Sequence, residues 1–308
     1  MSQRNETFDI IRALCMLWIV AYWHLADSFC FEKNLGTWGS YITETTMAMF
    51  AFMSGFFLGK KNVSAKTFYL TRIKRFYLLL VVSCVSLAVG GWFLSPQQFF
   101  FTITGLSSFI LPQPKTIWFL SMMIIFYAVT PIILYNIDNN TKNRSLILAV
   151  RCCLIFAIIE CVGLFRPIDM RVPQNFIFYS IGLIIPFDVM NKILYHRCKL
   201  LLISIAVISL SHCFWQKIGV LNIVLLIIGC LVISSLAEIL KVIGKTRMCN
   251  LFEKISYASL CAYLFHRQIF KVAGNVLRDE NGLIAVYYWP VFIVLVLFAS
   301  FYIQKAPL

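Results

Sequence analysis

The sequence predicts an all-α protein, a polytopic transmembrane helical bundle of about ten spans with cytoplasmic N- and C-termini. Hydrophobic residues make up 60% of the 308 residues, and charged residues only 13%. A soluble domain of this length needs far less apolar surface, because its outer faces must meet water. The apolar runs are long and lack the two-residue alternation of β-barrel strands, which favours helices. Since the pattern continues along the chain, residues 1–308 are expected to form one integral-membrane domain.

Ten apolar runs approach the length of about 20 residues that a membrane-spanning helix requires. In chain order, the predicted spans are 9–30, 41–59, 70–94, 116–137, 145–165, 175–190, 199–216, 219–240, 255–277 and 285–304. A shorter apolar stretch, 99–111, contains Gly105 and is followed by Pro112. It is expected to form an interfacial or re-entrant segment on the outer side, not a span.

The basic residues indicate how these spans are oriented. The formal net charge is +14, and the Lys and Arg side chains lie mostly between apolar runs. With the N-terminus in the cytoplasm they concentrate in the inner loops, as the positive-inside rule requires. An even number of spans then returns the C-terminus to the cytoplasm. The charge is thereby explained by the membrane, so lipids are the expected surroundings and no nucleic-acid partner is predicted.

The eleven cysteines are scattered through the apolar runs, and none has the spacing of zinc ligands. Buried free cysteine behaves as a small apolar residue, and a disulfide framework is typical of short secreted chains. We therefore interpret nearly all of the cysteines as packing residues, and no metal site is predicted.

Arg12, His24 and Asp27 in the first span are polar side chains that are costly to place in a membrane. Such residues usually face a bundle interior, a pocket or a pathway. Asp9 and Arg12 are three residues apart, which allows them to pair on one helix face. His24 lies about 18 Å further along the axis, where its imidazole suits a general base whose tautomer Asp27 can hold. The alternative is a snorkelling arginine and a histidine that is hydrogen-bonded to a neighbouring helix.

The second span contains the small residues Ser54 and Gly55. Small residues allow either close helix approach or contact between the backbone and a ligand. Glu44 lies at the predicted outer start of the same span. It is either a substrate contact or an interfacial carboxylate, and the residues alone leave both alternatives open.

Two further groups of polar residues lie in later spans. Arg72 and Arg75 share a helix face at the predicted cytoplasmic start of the third span. Their planar guanidinium groups suit phosphates, as on a nucleotide or coenzyme A, although a positive-inside anchor explains them equally well. Tyr263 and His266 lie in the ninth span, and such residues require a partner or a cavity. The sequence alone does not reveal whether His266 meets His24.

Together these motifs resemble the membrane-bound acyltransferase-3 family, whose members are bacterial inner-membrane O-acyltransferases that modify carbohydrates. Five motifs carry the resemblance in the family's order: Asp9 with Arg12 and His24, Ser54-Gly55-Phe56, Arg72 with Arg75, the tryptophan segment at Trp118, and the segment from Tyr263 to His266. They cover most of the chain, and ten spans is the architecture that the resemblance implies.

The resemblance also implies an activity, which is transfer of an acyl group, usually acetyl, from cytoplasmic acyl-CoA to a sugar hydroxyl outside the membrane. His24 would be the catalytic histidine and Arg12 its essential companion. The residues expected to bind the donor are Arg72, Arg75, Ser54 and Gly55, and those expected to contact substrate are Glu44, Asp27, Trp118, Tyr263 and His266. Acetyl-CoA is expected as a donor substrate and not as a permanently bound cofactor. The acceptor is expected to be a surface polysaccharide, a lipid-linked glycan or a glycolipid.

One spacing departs from the family pattern. The usual separation leaves ten residues between the arginine and the histidine, whereas eleven lie between Arg12 and His24. In a regular α-helix, twelve steps leave the two side chains about 120° apart. A π-bulge between Leu14 and Tyr22 would restore a common face, and such bulges are frequent at functional sites. We therefore predict a π-bulge there.

A membrane translocator of glycans or lipids is the alternative to acyl transfer. It would use a polar cavity without chemistry, and it too would carry positive charge on the inner side. No internal repeat with inverted topology is visible in the sequence, which weakens the transport interpretation. The absence of acyl-CoA consumption would favour it.

Overall fold

The computed structural model describes residues 6–24, 36–59, 64–90, 95–109, 117–137, 141–186, 219–244, 246–277 and 288–305, and a few residues between 189 and 207. These residues are almost entirely helical and include no strand, which confirms the all-α prediction. The helices are α1 (Glu6–Leu17), α2 (Gly36–Leu58), α3 (Ala65–Val89), α4 (Pro96–Ile103), α5 (Trp118–Ile133), α6 (Arg144–Phe165), α7 (Arg171–Ile184), α8 (Gly219–Ile243), α9 (Thr246–Leu277) and α10 (Trp289–Lys305).

Predicted span 199–216 lies mostly outside the described residues. Each of the other nine predicted spans overlaps one of these helices. The boundaries differ most at α9, which begins at Thr246 and not at residue 255. A hydropathy pattern detects only the apolar part of a helix, whereas backbone hydrogen bonding continues through flanking polar residues. The helix is therefore longer than the apolar run within it.

Two described helices, Arg144–Phe165 and Leu221–Ile243, are long and apolar enough to cross a membrane. Three shorter helices are also apolar, namely Phe76–Val89, Trp118–Ile133 and Pro290–Lys305.

Helix α6 has a row of exposed apolar side chains along its length. It exposes an apolar side chain at every fourth position: Leu146, Val150, Leu154, Ile158 and Val162. Residues four apart share one helix face, so these side chains form a continuous apolar stripe. Large exposed apolar patches in water mark interaction or membrane surfaces. The stripe is suited to lipid.

The predicted interfacial stretch 99–111 forms short elements. Ser95 caps α4, its hydroxyl accepting from the backbone N–H of Gln98 at 3.2 Å, and a short 3₁₀ turn, Leu106–Ser108, follows α4. Gly105 joins the two elements at φ +80°, a conformation that glycine adopts without steric cost. Eight residues rise only about 12 Å in an α-helix, so α4 is too short to span a bilayer, as predicted.

The chain folds as two compact units. The first comprises Met1–Phe50 and Asp188–Pro307, and the second comprises Ala51–Phe187.

In the first unit, α1 packs against α8 and α9. Asp9 hydrogen-bonds to Ser256, and His24 contacts His266, so α1 and its continuation run in the same direction as α9. The start of α1 meets the end of α8, where Thr7 hydrogen-bonds to Glu238.

Helix α10 runs antiparallel to α9 in the same unit. Near the start of α9, the Tyr257 hydroxyl donates to the carbonyl oxygen of Gln304 at 3.1 Å. Near its end, the rings of Phe270 and Phe292 lie 6.1 Å apart. Later residues of α9 thus contact earlier residues of α10, as two antiparallel helices require.

In the second unit, α2 and α7 approach each other through glycines. A Cβ atom on Gly55 would collide with the backbone carbonyl of Tyr179, and one on Gly182 would collide with that of Phe52. A Cβ atom on Gly59 would lie 2.7 Å from the carbonyl oxygen of Leu183. Gly55 and Gly59 form the G-x-x-x-G spacing that brings membrane helices into backbone contact.

Candidate functional site

The first helix changes its geometry before it reaches His24. Residues Trp18–His24 form a π-helix directly after α1, which confirms the predicted π-bulge and extends it to His24. Six α-helical steps of 100° and six π-helical steps of about 80° carry the chain from Arg12 to His24 through about three full turns. The two residues therefore return to a common face, whereas a regular α-helix would turn them apart.

A contact with α2 holds the start of this π segment. The Trp18 Nε1–H donates to Thr43 Oγ1 at 3.0 Å, and the Thr43 hydroxyl donates to the carbonyl oxygen of Gly39 at 2.7 Å. The ring of Tyr22 lies 4.7 Å from that of Trp18. Packing and hydrogen bonding thus accompany the wider turn.

His24 and His266 form the centre of the candidate site. His24 Nδ1 lies 2.7 Å from His266 Nε2, although the residues are 242 positions apart in the chain. The ring planes differ by 5°, and the centroids are 4.7 Å apart. The centroid separation of 4.7 Å exceeds the nitrogen–nitrogen distance of 2.7 Å by 2.0 Å, which is close to two ring radii, so the contact points nearly along the line between the rings. The geometry is that of an in-plane hydrogen bond.

The histidine pair is shielded from solvent. His266 has no exposed surface, and His24 is 8% exposed. The second ring nitrogen of His266, Nδ1, lies 2.9 Å from the carbonyl oxygen of Ala262. Phe270 packs edge-on at 5.6 Å, and the Tyr263 ring lies 6.1 Å away. His266 is therefore fully buried, with one ring nitrogen against His24 and the other against the Ala262 carbonyl oxygen.

A second polar group surrounds Arg12. Its guanidinium lies 3.7 Å from Asp9, which confirms the predicted pairing. The buried carboxylate of Asp9 also accepts a hydrogen bond from Ser256 at 2.7 Å. Burying a carboxylate requires such compensation, and here it comes from one residue of α1 and one of α9.

Three residues beside this pair were not anticipated from the sequence. Glu238 accepts a hydrogen bond from Thr7 and forms an ion pair with Lys241 at 3.8 Å. The Lys241 ammonium also donates to the Thr7 hydroxyl at 3.4 Å. The signal available in the sequence was Glu238 itself, a carboxylate within the largely apolar helix α8, since an ionisable residue at such a position requires a partner.

Replacement of Asp9 by Ala is expected to lower the free energy of unfolding by about 1–3 kcal/mol, because Ser256 and Arg12 lose a charged acceptor. Asp9→Asn should cost less, since the amide oxygen can still accept from Ser256. Thermal unfolding in one detergent measures both. Glu6→Ala is the matched control, an exposed carboxylate in the same helix, and should change stability by less than about 0.5 kcal/mol. Equal losses of unfolding free energy for Asp9→Ala and Glu6→Ala would contradict the stabilising role of Asp9 as the partner of Ser256 and Arg12.

The other predicted residues of the first unit have different placements. Glu44 is half-buried in α2, next to the Thr43 that binds Trp18. Tyr263 is 5% exposed and lies one turn before His266. Asp27 lies outside the described residues. Among the described residues, no group of three His, Cys, Asp or Glu side chains could hold a metal ion.

The remaining predicted residues belong to the second unit. Gly55 packs against α7, so the structure shows close helix approach at this position, and Ser54 is half-buried beside it. Arg72 and Arg75 lie within α3. At these positions the structure describes the backbone and not the side chains. Trp118 begins α5.

The Arg171 guanidinium covers the Trp118 ring, with its carbon atom 4.0 Å from the ring centroid. Arg171 also forms an ion pair with Asp169. A cation over an indole face is a favourable electrostatic contact. The sequence offered no signal for it, because the two residues lie in separate helices.

Comparison with known proteins places the chain in a family. A family model described as an acyltransferase domain, that of acyltransferase family 3, matches residues 5–305. Searches of curated proteins and of solved structures found no significant match. The match extends over almost the whole chain and includes both histidines of the buried pair. The chain belongs to acyltransferase family 3, a family of membrane proteins, and it is an acyltransferase.

Proposed function

We propose that this acyltransferase moves an acyl group, usually acetyl, from cytoplasmic acyl-CoA to a hydroxyl of an extracytoplasmic sugar. The acceptor sugar belongs to a surface polysaccharide, a lipid-linked glycan or a glycolipid. The observation that carries the proposal is His24, a buried imidazole at the end of a π-helix and in hydrogen-bond contact with a second histidine. Such an arrangement suits a general base, and the family match supplies the reaction class.

In the proposed transfer, His24 is the base. Its imidazole takes the proton of the acceptor hydroxyl while that oxygen forms a bond to the thioester carbonyl carbon. The carbon–sulfur bond then breaks, and the coenzyme A thiolate leaves and takes the proton back from His24. The products are an ester and free coenzyme A, so atoms and charges balance and no redox partner is needed.

Arg12 would support the reaction electrostatically. Arg12 lies more than about 15 Å from His24 along the helix axis, so its positive charge would act on the proposed cytoplasmic donor side of the site and not on the thioester oxygen beside His24. The ion pair with Asp9 orients the Arg12 guanidinium. The π-helix supports the assignment, because it returns Arg12 and His24 to one face.

We further propose a bacterial inner-membrane location with ten spans and cytoplasmic termini. The helix directions of the first unit support this topology. Helices α1 and α9 run in the same direction, as the first and ninth spans would, and α10 runs opposite to α9. The apolar stripe on α6 supports contact with lipid.

Arg72 and Arg75 are proposed to bind the phosphates of the acyl-CoA donor. Exchanging both for Ala should raise KM for acyl-CoA by at least about tenfold, because two charge-assisted hydrogen bonds of about 1.5–3 kcal/mol each are lost. The value of kcat should change much less. The measurement is acyl-CoA consumption by protein reconstituted in liposomes, at varied donor concentration.

Lys66→Ala is the control for that experiment, since Lys66 is an exposed cation near the start of the same helix. It should leave KM within about twofold, as expected for a surface substitution. An unchanged KM in the double arginine variant would restrict these residues to anchoring at the membrane surface. If the wild-type protein consumes no acyl-CoA but moves a glycan across the liposome membrane, the protein is a translocator and the proposed reaction is wrong.

A further inference from the structure

We propose that His266 is a positioning residue that holds His24 in the tautomer needed for catalysis, without itself carrying the transferred proton. This inference rests on the proposed role of His24 as the base. It assigns His266 a place behind the catalytic histidine, in contrast to the substrate contact expected from the sequence.

The protonation of His266 follows from its contact with the backbone. Ala262 presents a carbonyl oxygen to His266 Nδ1 at 2.9 Å, and a carbonyl oxygen only accepts hydrogen bonds. Nδ1 must therefore carry a proton. The carbonyl has two lone pairs, so it can accept from this ring while it also accepts from the helix backbone.

Burial then determines the state of the other nitrogen. His266 has no exposed surface, and an apolar ring, that of Phe270, packs against its edge. A charged imidazolium in such surroundings would lose its hydration, so the neutral ring is favoured. A neutral imidazole that is protonated at Nδ1 has an acceptor at Nε2.

The acceptor on His266 fixes the donor on His24. Since His266 Nε2 accepts, the His24 Nδ1 that lies 2.7 Å away must donate. A neutral His24 with its proton on Nδ1 carries its lone pair on Nε2. The two consecutive hydrogen bonds, between Ala262 and His266 and between His266 and His24, thus determine which nitrogen of His24 is basic. Partner groups set the tautomer of catalytic and metal-bound histidines in the same way.

The same contact serves during the reaction. When His24 Nε2 takes the hydroxyl proton, its Nδ1–H remains donated to His266, and that bond becomes charge-assisted and stronger. Throughout the reaction, His266 keeps its Nδ1 proton, and Nδ1–H donates a hydrogen bond to the Ala262 carbonyl oxygen. No proton passes through His266, which distinguishes this role from a proton relay.

Two substitutions separate positioning from proton transfer. Leucine at 266 removes the acceptor, whereas glutamine offers an amide oxygen to His24 and an amide N–H₂ to Ala262 but cannot titrate. His266→Leu should lower kcat about a hundredfold or more, with KM for acyl-CoA little changed; in serine proteases the wrong histidine tautomer costs about 10⁴-fold. His266→Gln should stay within about tenfold of the wild type.

The outcomes are decisive when both variants keep the wild-type melting temperature within a few degrees. Loss of activity in His266→Leu with rescue in His266→Gln supports positioning. Equal loss in both variants overturns it in favour of a titrating group, and full activity in both overturns it as well.

A spectroscopic test needs neither variant at 266 nor activity. The protein has four histidines, and ¹⁵N labelling of their rings distinguishes protonated from unprotonated nitrogens by chemical shift. The signals that His24→Gln removes belong to His24, and they should show a protonated Nδ1 and an unprotonated Nε2. The reverse pattern would overturn the proposal, whereas failure of acyl transfer with the expected pattern would overturn only the proposed function.

Discussion

His24→Ala is expected to reduce acyl transfer by about 10²–10⁴-fold, the contribution usual for a general base. Without the imidazole, the acceptor hydroxyl must lose its proton to water as it attacks the thioester. The loss should appear in kcat, because His24 acts on the acceptor and not on the coenzyme A phosphates. The measurement is transfer of labelled acetyl from acetyl-CoA by the reconstituted protein.

Tyr22→Phe is the matched control, since it alters an aromatic side chain of the same π segment and keeps the ring that packs on Trp18. It should retain activity within about threefold, the scale of a substitution worth less than about 0.6 kcal/mol. Activity of His24→Ala equal to that of Tyr22→Phe would remove His24 from the mechanism. A large loss in both would indicate that the shape of the π segment, and not the imidazole, is what the reaction requires.

Gly55→Ala should lower the free energy of unfolding by about 1–3 kcal/mol, the usual cost of overpacking. The added Cβ would collide with the Tyr179 carbonyl and lie 3.2 Å from the backbone nitrogen of Leu183. Backbone atoms of a packed helix cannot yield as the end of a flexible side chain can, so α2 and α7 must separate. Gly55→Val should be worse. Thermal unfolding of the variants in one detergent provides the comparison.

Gly163→Ala isolates the steric part of that effect. It also replaces a helical glycine, but its added Cβ would meet only the side chain of Ile168, at 3.6 Å. Because alanine favours the helix by about 1 kcal/mol over glycine, this control should leave stability unchanged or raise it. If Gly55→Ala instead kept its melting temperature and raised KM for acyl-CoA, the position would belong to donor binding, as the second sequence alternative holds.

Much of the site could be predicted because its residues are neighbours along one helix. Asp9 and Arg12 are three positions apart, and helical periodicity alone predicts their ion pair. The π-helix that ends at His24 was predicted from the spacing between Arg12 and His24. That spacing is one residue longer than a common helix face allows, and a wider helical turn accommodates the extra residue.

The contacts that span large sequence separations were not predictable in this way. Gly182 carries no motif of its own, yet it lies against the Phe52 carbonyl of α2, as Gly55 lies against the Tyr179 carbonyl of α7. Arg171 covers Trp118 because the starts of two helices meet. Periodicity describes which face a residue occupies, but it holds no information about which other helix packs on that face.

The sequence by itself determined the helical class, the candidate site residues and their positions along each helix, because apolar length and helical period are local properties. Only the tertiary structure decided that His266 meets His24 at 2.7 Å and that Ser256 supports Asp9. The physical reason is that these bonds depend on the direction and register of α9 beside α1. That register is set by the packing of whole helices, and no single segment of the chain encodes it.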